Sequence, residues 1–147
     1  MIYFYLKILH ILSASCVLTS MMYSFHLWRS IDGHNLVTIA QRIQKQTALI
    51  IMPFALFQLA TGFTMMSLKR YPWESFWISG SLTSFITAIV SWFGFIYFLL
   101  LSQQATIQPN PSTPRTHYRR LQSCMLLLSA LGLLSMVFFM ANKTGSS

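Results

Sequence analysis

Lys7 and His10 stand three residues apart in a stretch that is otherwise apolar, a spacing that places both on one face of a helix. The long stem of Lys7 lets its ammonium reach an interface. His10 lies deeper, roughly 10–12 Å from the start of the helix. An imidazole there has three uses: a neutral hydrogen-bonding partner for a neighbouring Ser, Thr or Gln, an axial ligand of haem or a metal, or a proton-transfer group. A haem iron often takes two axial ligands, so depth tests the second use. His26 and His117 sit at the far ends of their apolar runs and His34 in a connection, too distant to share one iron with His10. Antiparallel helices instead bring Met65 or Met66 and Met136 or Met140 to the depth of His10. A haem b site would therefore use His10 with Met65 and Met136 as candidate partners, or His10 with its copy in a homodimer. His26 and His117 are read first as interfacial residues, and a separate site built from them is the alternative. Methionine is also a copper ligand, but it commonly fills apolar helices, and most of the methionines are read as packing.

Gln58 is the other strongly polar residue inside an apolar run, with Gly62 and Met65 on its helical face and Thr61 close by. Pro53 upstream should kink this helix and free a carbonyl. An interhelical hydrogen bond from Gln58, worth about 1 kcal/mol, is the first expectation, ahead of a ligand-binding role. Farther along, Ser79, Thr83, Thr87 and Ser91 recur at every fourth position, with Gly80, Ser84 and Ala88 in the adjacent row. Such a face either packs closely on a neighbouring helix or lines a polar conduit. Close packing is favoured because both acids, Asp32 and Glu74, lie outside the apolar runs, so no buried carboxylate is available to drive ion or proton movement. A nucleophile elbow, phosphate loop, paired carboxylates and HExxH are all missing. The sequence reads as a non-enzymatic protein. Asn142-Lys143-Thr144 fits the glycosylation pattern, a weak signal in any sequence.

The elements that carry these residues follow from composition. Of 147 residues, 54% are hydrophobic and 8% charged, against roughly a quarter charged in soluble domains. Twelve charged side chains (ten Lys/Arg and two Asp/Glu) cannot build a water-facing shell. The net charge of +8 would suggest nucleic acid in a soluble protein. Here the cations lie between long apolar runs, where they set orientation and meet anionic lipid headgroups, and no nucleic-acid partner is expected. Four spans are predicted, at about 2–28, 47–68, 76–101 and 121–141, in one all-α domain that forms a four-transmembrane-helix bundle. The first is too long for a signal peptide and shows no clear cleavage site.

The connections are short. Asn35 is expected to cap a helix that continues into the second span, its first part, in which Leu36, Ile39, Ala40 and Ile43 oppose Gln41, Arg42 and Lys45, lying at the membrane surface. Residues 69–75 read as a tight turn around Pro72, and 102–120, with Pro109, Pro111 and Pro114, as an extended linker. Arg29, Arg42, Lys45, Arg115, Arg119 and Arg120 fall on one side, against Lys69, Arg70, Lys143 and, marginally, Lys7 on the other. That bias puts both termini outside. Cys16 and Cys124 read as small packing residues at different depths, not as a disulfide pair.

The opening YLKILHILSA at Tyr5 to Ala14, Pro53 through Gln58 to the ATG at Ala60 to Gly62, YPW at Tyr71 to Trp73, and HYRRL before the last span resemble a bacterial family of predicted integral membrane proteins of unknown function. The resemblance runs over nearly the whole chain and implies a multi-pass protein of the bacterial inner membrane. Many members open the second span with an Asp-Trp pair, where this chain has Thr47-Ala48, so no role of that acid carries over. More distantly, Leu6 to His10 is similar to the first span of the haem-dependent protoporphyrinogen oxidase and copper-resistance protein D families. That likeness implies His10 as a haem b ligand without implying the oxidase activity. Three expectations result: a non-enzymatic membrane protein or accessory subunit, in a homodimer or larger membrane complex; a haem b-binding membrane redox protein; and a copper- or small-molecule-handling membrane protein.

Overall fold

The computed structural model describes residues 1–32, 34–107 and 115–141, with the backbone alone at 115–117, 140 and 141. Among the described residues every regular element is helical: α1 (Ile2–Arg29), α2 (Leu36–Gln46), a π-turn (Thr47–Ile51), α3 (Met52–Lys69), α4 (Phe76–Ile107) and α5 (Arg115–Ala141). α2, the π-turn and α3 follow one another without a break. Four stretches, Ile2–Arg29, Leu36–Lys69, Phe76–Ile107 and Tyr118–Phe139, are long and apolar enough to cross a membrane, a task that needs about 20 residues. The chain divides into two compact units, Met1–Tyr71 and Pro72–Ser147.

In the first unit α1 packs on α2, the π-turn and α3. Its buried residues are His10, Ser13, Val17, Ser20, Met21, Ser24 and Trp28, one seam at steps of three and four. Facing them are Ala40, Ile43, Thr47, Ile51, Ala55, Gln58 and Thr61. The π-turn sits just ahead of Pro53, which lacks the N–H for a regular helical bond and would crowd the preceding turn; a widened turn relieves that clash. α2 continues into α3, as the sequence led us to expect, and its buried row continues that of α3. Asn35 occupies the N-cap position of α2, but its side chain is not a cap. Its Oδ1 accepts from the Asp32 N–H at 2.7 Å, and its Nδ2 donates to the Ser30 carbonyl at 3.2 Å. The unpaired groups of the short connection take the amide before the helix end can.

α3 ends on Arg70, whose φ of 51° and ψ of 38° are left-handed. The N–H of Tyr71 bonds Met66 O and that of Arg70 bonds Ser67 O, both at 3.3 Å, the paired closure in which glycine usually holds the left-handed position. The Lys69 ammonium stands 4.9 Å from the centre of the Tyr3 ring, tying this end of α3 to the start of α1.

The second unit is the α4–α5 hairpin. α4 buries Ile78, Ser81, Phe85, Ala88, Ser91, Trp92, Phe95, Leu99 and Gln103. α5 answers with Gln122, Leu126, Ser129, Gly132 and Met136. The expected extended linker over 102–120 is overturned at both ends, since α4 runs to Ile107 and α5 starts at Arg115. Polar pairing holds the extra turns: Gln122 Nε2 donates to Ser102 Oγ at 2.8 Å and to Phe98 O at 3.1 Å, and the Ser102 and Thr106 hydroxyls bond back to their own helix. Pro109, Pro111 and Pro114 fall within 108–114, and Asn142 to Thr144 after Ala141, all outside the described residues, as is Gly33. Cys16 and Cys124 are exposed thiols and take no part in helix packing.

Candidate functional site, a buried polar layer between α1 and α3

His10 is brought to α3 by the three-and-four seam of α1, and Gln58 and Thr61 are brought to it by one turn of α3. His10 Nδ1 lies 2.8 Å from Thr61 Oγ1 and His10 Nε2 lies 3.1 Å from Gln58 Nε2. The tautomer follows from the partners. An amide nitrogen only donates, so Nε2 accepts and the proton sits on Nδ1. Thr61 can receive that proton because its own hydroxyl points back along α3, 2.9 Å from Phe57 O and 3.1 Å from Gln58 O. Ser13 completes the layer, donating to Gln58 Oε1 at 2.6 Å, with the His10 carbonyl 2.8 Å from the same hydroxyl. All four residues are buried. Gly62 lies against the ring: a Cβ there would stand 3.4 Å from His10 Cε1, at ordinary contact distance.

A second polar layer occurs on the same seam. Gln46 Nε2 donates to Ser20 O at 3.0 Å, and Ser24 Oγ donates to Gln46 Oε1 at 3.3 Å. Thr47 returns its hydroxyl to Ile43 O at 2.8 Å. Val17, Ile51 and Ala55 are buried between the two layers.

The predicted site residues divide accordingly. His10, Gln58 and Thr61 come together. Met65 lies one turn beyond Thr61 on α3 and is half-buried, whereas Met136 is buried within the second unit. In α4, Thr83 and Thr87 are exposed and bond back to Ser79 O and Thr83 O at 2.7 and 2.9 Å, while Ser91 is buried. The neighbouring row makes the close approach. A Cβ on Gly132 would stand 2.9 Å from Ser84 O and 3.0 Å from Ala88 N and Cβ. With their hydroxyls satisfied within their own helix, these threonines can stand exposed without an unpaired polar group. His26 is exposed, and the side chain of His117 lies outside the described residues. Sequence reasoning passed over Ser13, Ser20, Ser24 and Gln46. The signal of the three serines was present: 10, 13, 17, 20 and 24 form one stripe that His10 already marked.

Residues 4–144 match the family described as predicted integral membrane protein, DUF2269. The chain belongs to this family. It is a multi-pass integral membrane protein embedded in a lipid bilayer. No curated protein and no solved structure matches it. Membrane residence changes the energetics of the polar layer, because no water in the hydrocarbon can replace a lost partner. Every buried side-chain nitrogen and oxygen among the described residues has a hydrogen-bond partner. In lipid such pairs between helices contribute about 0.6–1.7 kcal/mol each.

Proposed function

We propose that the chain is a non-enzymatic component of the bacterial inner membrane, an accessory subunit in which the His10 layer latches α1 to α3. The saturation of that layer carries the reading. Both imidazole nitrogens, both ends of the Gln58 amide and both hydroxyls have partners within 3.1 Å. A general base must hold its basic nitrogen within reach of a substrate proton, whereas the basic nitrogen of His10 is engaged by an amide of its own unit. The test is the spectrum and stability of the full chain purified in detergent from haem-replete cells. The latch predicts a colourless protein in which His10→Ala lowers thermal stability. A pigment that copurifies in stoichiometric amount with the wild type and is lost in His10→Ala sinks the latch reading.

One observation favours a second reading, haem b with His10 as axial ligand. Ligating histidines characteristically donate their other ring N–H to a protein acceptor, as Nδ1 does to Thr61 at 2.8 Å. His10 would hold the iron through Nε2 once the Gln58 amide turned aside, with Met65 of the same unit as the second donor. Haem bound there would supply one-electron redox chemistry. A reduced-minus-oxidised spectrum separates the readings: a colourless wild type removes the haem, and a haem band that survives in His10→Ala removes this residue from it.

A further inference from the structure

We propose that the first unit carries a binding face for the headgroups of anionic phospholipids, formed by Arg29 at the end of α1 and by Arg42 and Lys45 on α2. The pairing of Ser24 with Gln46 sets the level, since their side chains meet at 3.3 Å. From that level Arg29 lies five residues farther along α1 and Arg42 four residues back along α2, about 7.5 and 6 Å along their helices, and Lys45 about 1.5 Å. The uncharged run 47–68 below is about 33 Å long by helical rise, matching a hydrocarbon core of about 30 Å. Lys45 and Arg42 therefore fall within the headgroup layer, which adds roughly 5–7 Å on each side of the core, and Arg29 stands at its outer edge, within reach of it through a long side chain.

Their direction is fixed by packing. Ala40 and Ile43 are fully buried, at 0% exposure, so α2 cannot roll. Thr38, Gln41, Arg42 and Lys45 are held outward, and Arg29 is exposed as well. The Arg29 guanidinium carbon stands 6.0 Å from the centre of the Phe25 ring, an anchor characteristic of a charge at the edge of an apolar region. Asp32 is the sole acid in residues 1–71, so three cations against one acid leave this face with a positive surplus. The occupant that supplies phosphate at this depth, in a protein embedded in a bilayer, is the anionic lipid itself. Arginine takes a phosphate through two parallel N–H bonds and lysine as a point charge.

The experiment is native mass spectrometry of the full chain in detergent with equal amounts of phosphatidylglycerol and phosphatidylcholine. The wild type should retain phosphatidylglycerol in excess. The excess should fall by roughly fivefold for each cation removed across Arg29→Gln, Arg42→Gln and Lys45→Gln. Single variants at these exposed positions give the reading even where the triple fails to fold. The matched control, Lys7→Gln/Lys69→Gln/Arg70→Gln, removes equal charge from the opposite end of the unit and should leave the excess in place. Equal losses in both triples would make the effect one of net charge and overturn the site. So would a wild type without preference. Displacement of the lipid by millimolar inorganic phosphate would also overturn it, in favour of a site for a free anion.

Discussion

Gly132→Ala tests the α4–α5 contact most directly. The added methyl carbon would stand 2.9 Å from Ser84 O and 3.0 Å from both N and Cβ of Ala88. Relaxed carbon contacts lie at about 3.5–4.0 Å. The obstacle is mainly backbone, so the helices must separate by about 0.5–1 Å, which forfeits a quarter to a half of each dispersion contact along the crossing. Overpacking of this kind costs about 1–3 kcal/mol, and the better helix propensity of alanine returns about 1 kcal/mol at most. A net loss of about 0–2 kcal/mol is expected. Gly94 supplies the internal control. Its added methyl meets Met125 Sδ at 3.0 Å, but this is a flexible side chain that can turn away, so Gly94→Ala should be neutral or slightly stabilising. Gly80→Ala, which meets the Phe139 ring at 2.8 Å, should fall between them, because a ring can shift but less freely than a thioether. Equilibrium unfolding in mixed micelles ranks the three. If Gly132→Ala proves as stable as Gly94→Ala, the close approach of α4 and α5 at Ala88 is wrong.

Ala88→Leu should destabilise by about 1–3 kcal/mol, because Ala88 is fully buried at 0% exposure, whereas Thr87→Leu on the exposed row should change thermal stability little; equal losses would refute the assignment of faces. A double-mutant cycle of His10→Ala and Gln58→Leu should give a coupling of about 0.6–1.7 kcal/mol, and additive losses in unfolding experiments would show that the 3.1 Å bond contributes nothing. Arg70→Gly should stabilise by about 1 kcal/mol by removing the cost of a side chain at a φ of 51°; a lower melting temperature would point to a contact of Arg70 that outweighs its backbone. The distribution of Lys and Arg predicts both termini outside, so a reporter that fluoresces only in the cytoplasm should stay dark when fused after Ser147, and fluorescence there with export of a fusion at Pro111 would reverse the orientation.

The spans were legible because membrane crossing leaves a crude signal, long runs without charge, that no tertiary detail can erase. Their ends were not, and each miss has a local cause. Pro53 drew attention to a kink, yet the widened turn that accommodates it lies at Thr47–Ile51, and the expected continuation of the helix from Asn35 into the second span runs through it. The three prolines after Ile107 were given too much reach: proline disfavours helix at itself and at the residue before it, and Ser102 to Ile107 stand clear of that influence. Of the candidate site, His10, Gln58 and Thr61 could be read as polar groups needing partners, since an apolar run makes each conspicuous. Ser13, Ser20 and Ser24 could not be read so easily, because serine is common in membrane helices and often bonds its own backbone. What separates them from Ser15, whose hydroxyl does bond back to Ile11 O at 3.0 Å, is membership of the stripe through His10. In a helix of low amphipathicity, the stripe that contains the costliest residue is the better guide to the buried face than hydrophobicity, because lipid accepts apolar side chains on every side and penalises only the polar ones.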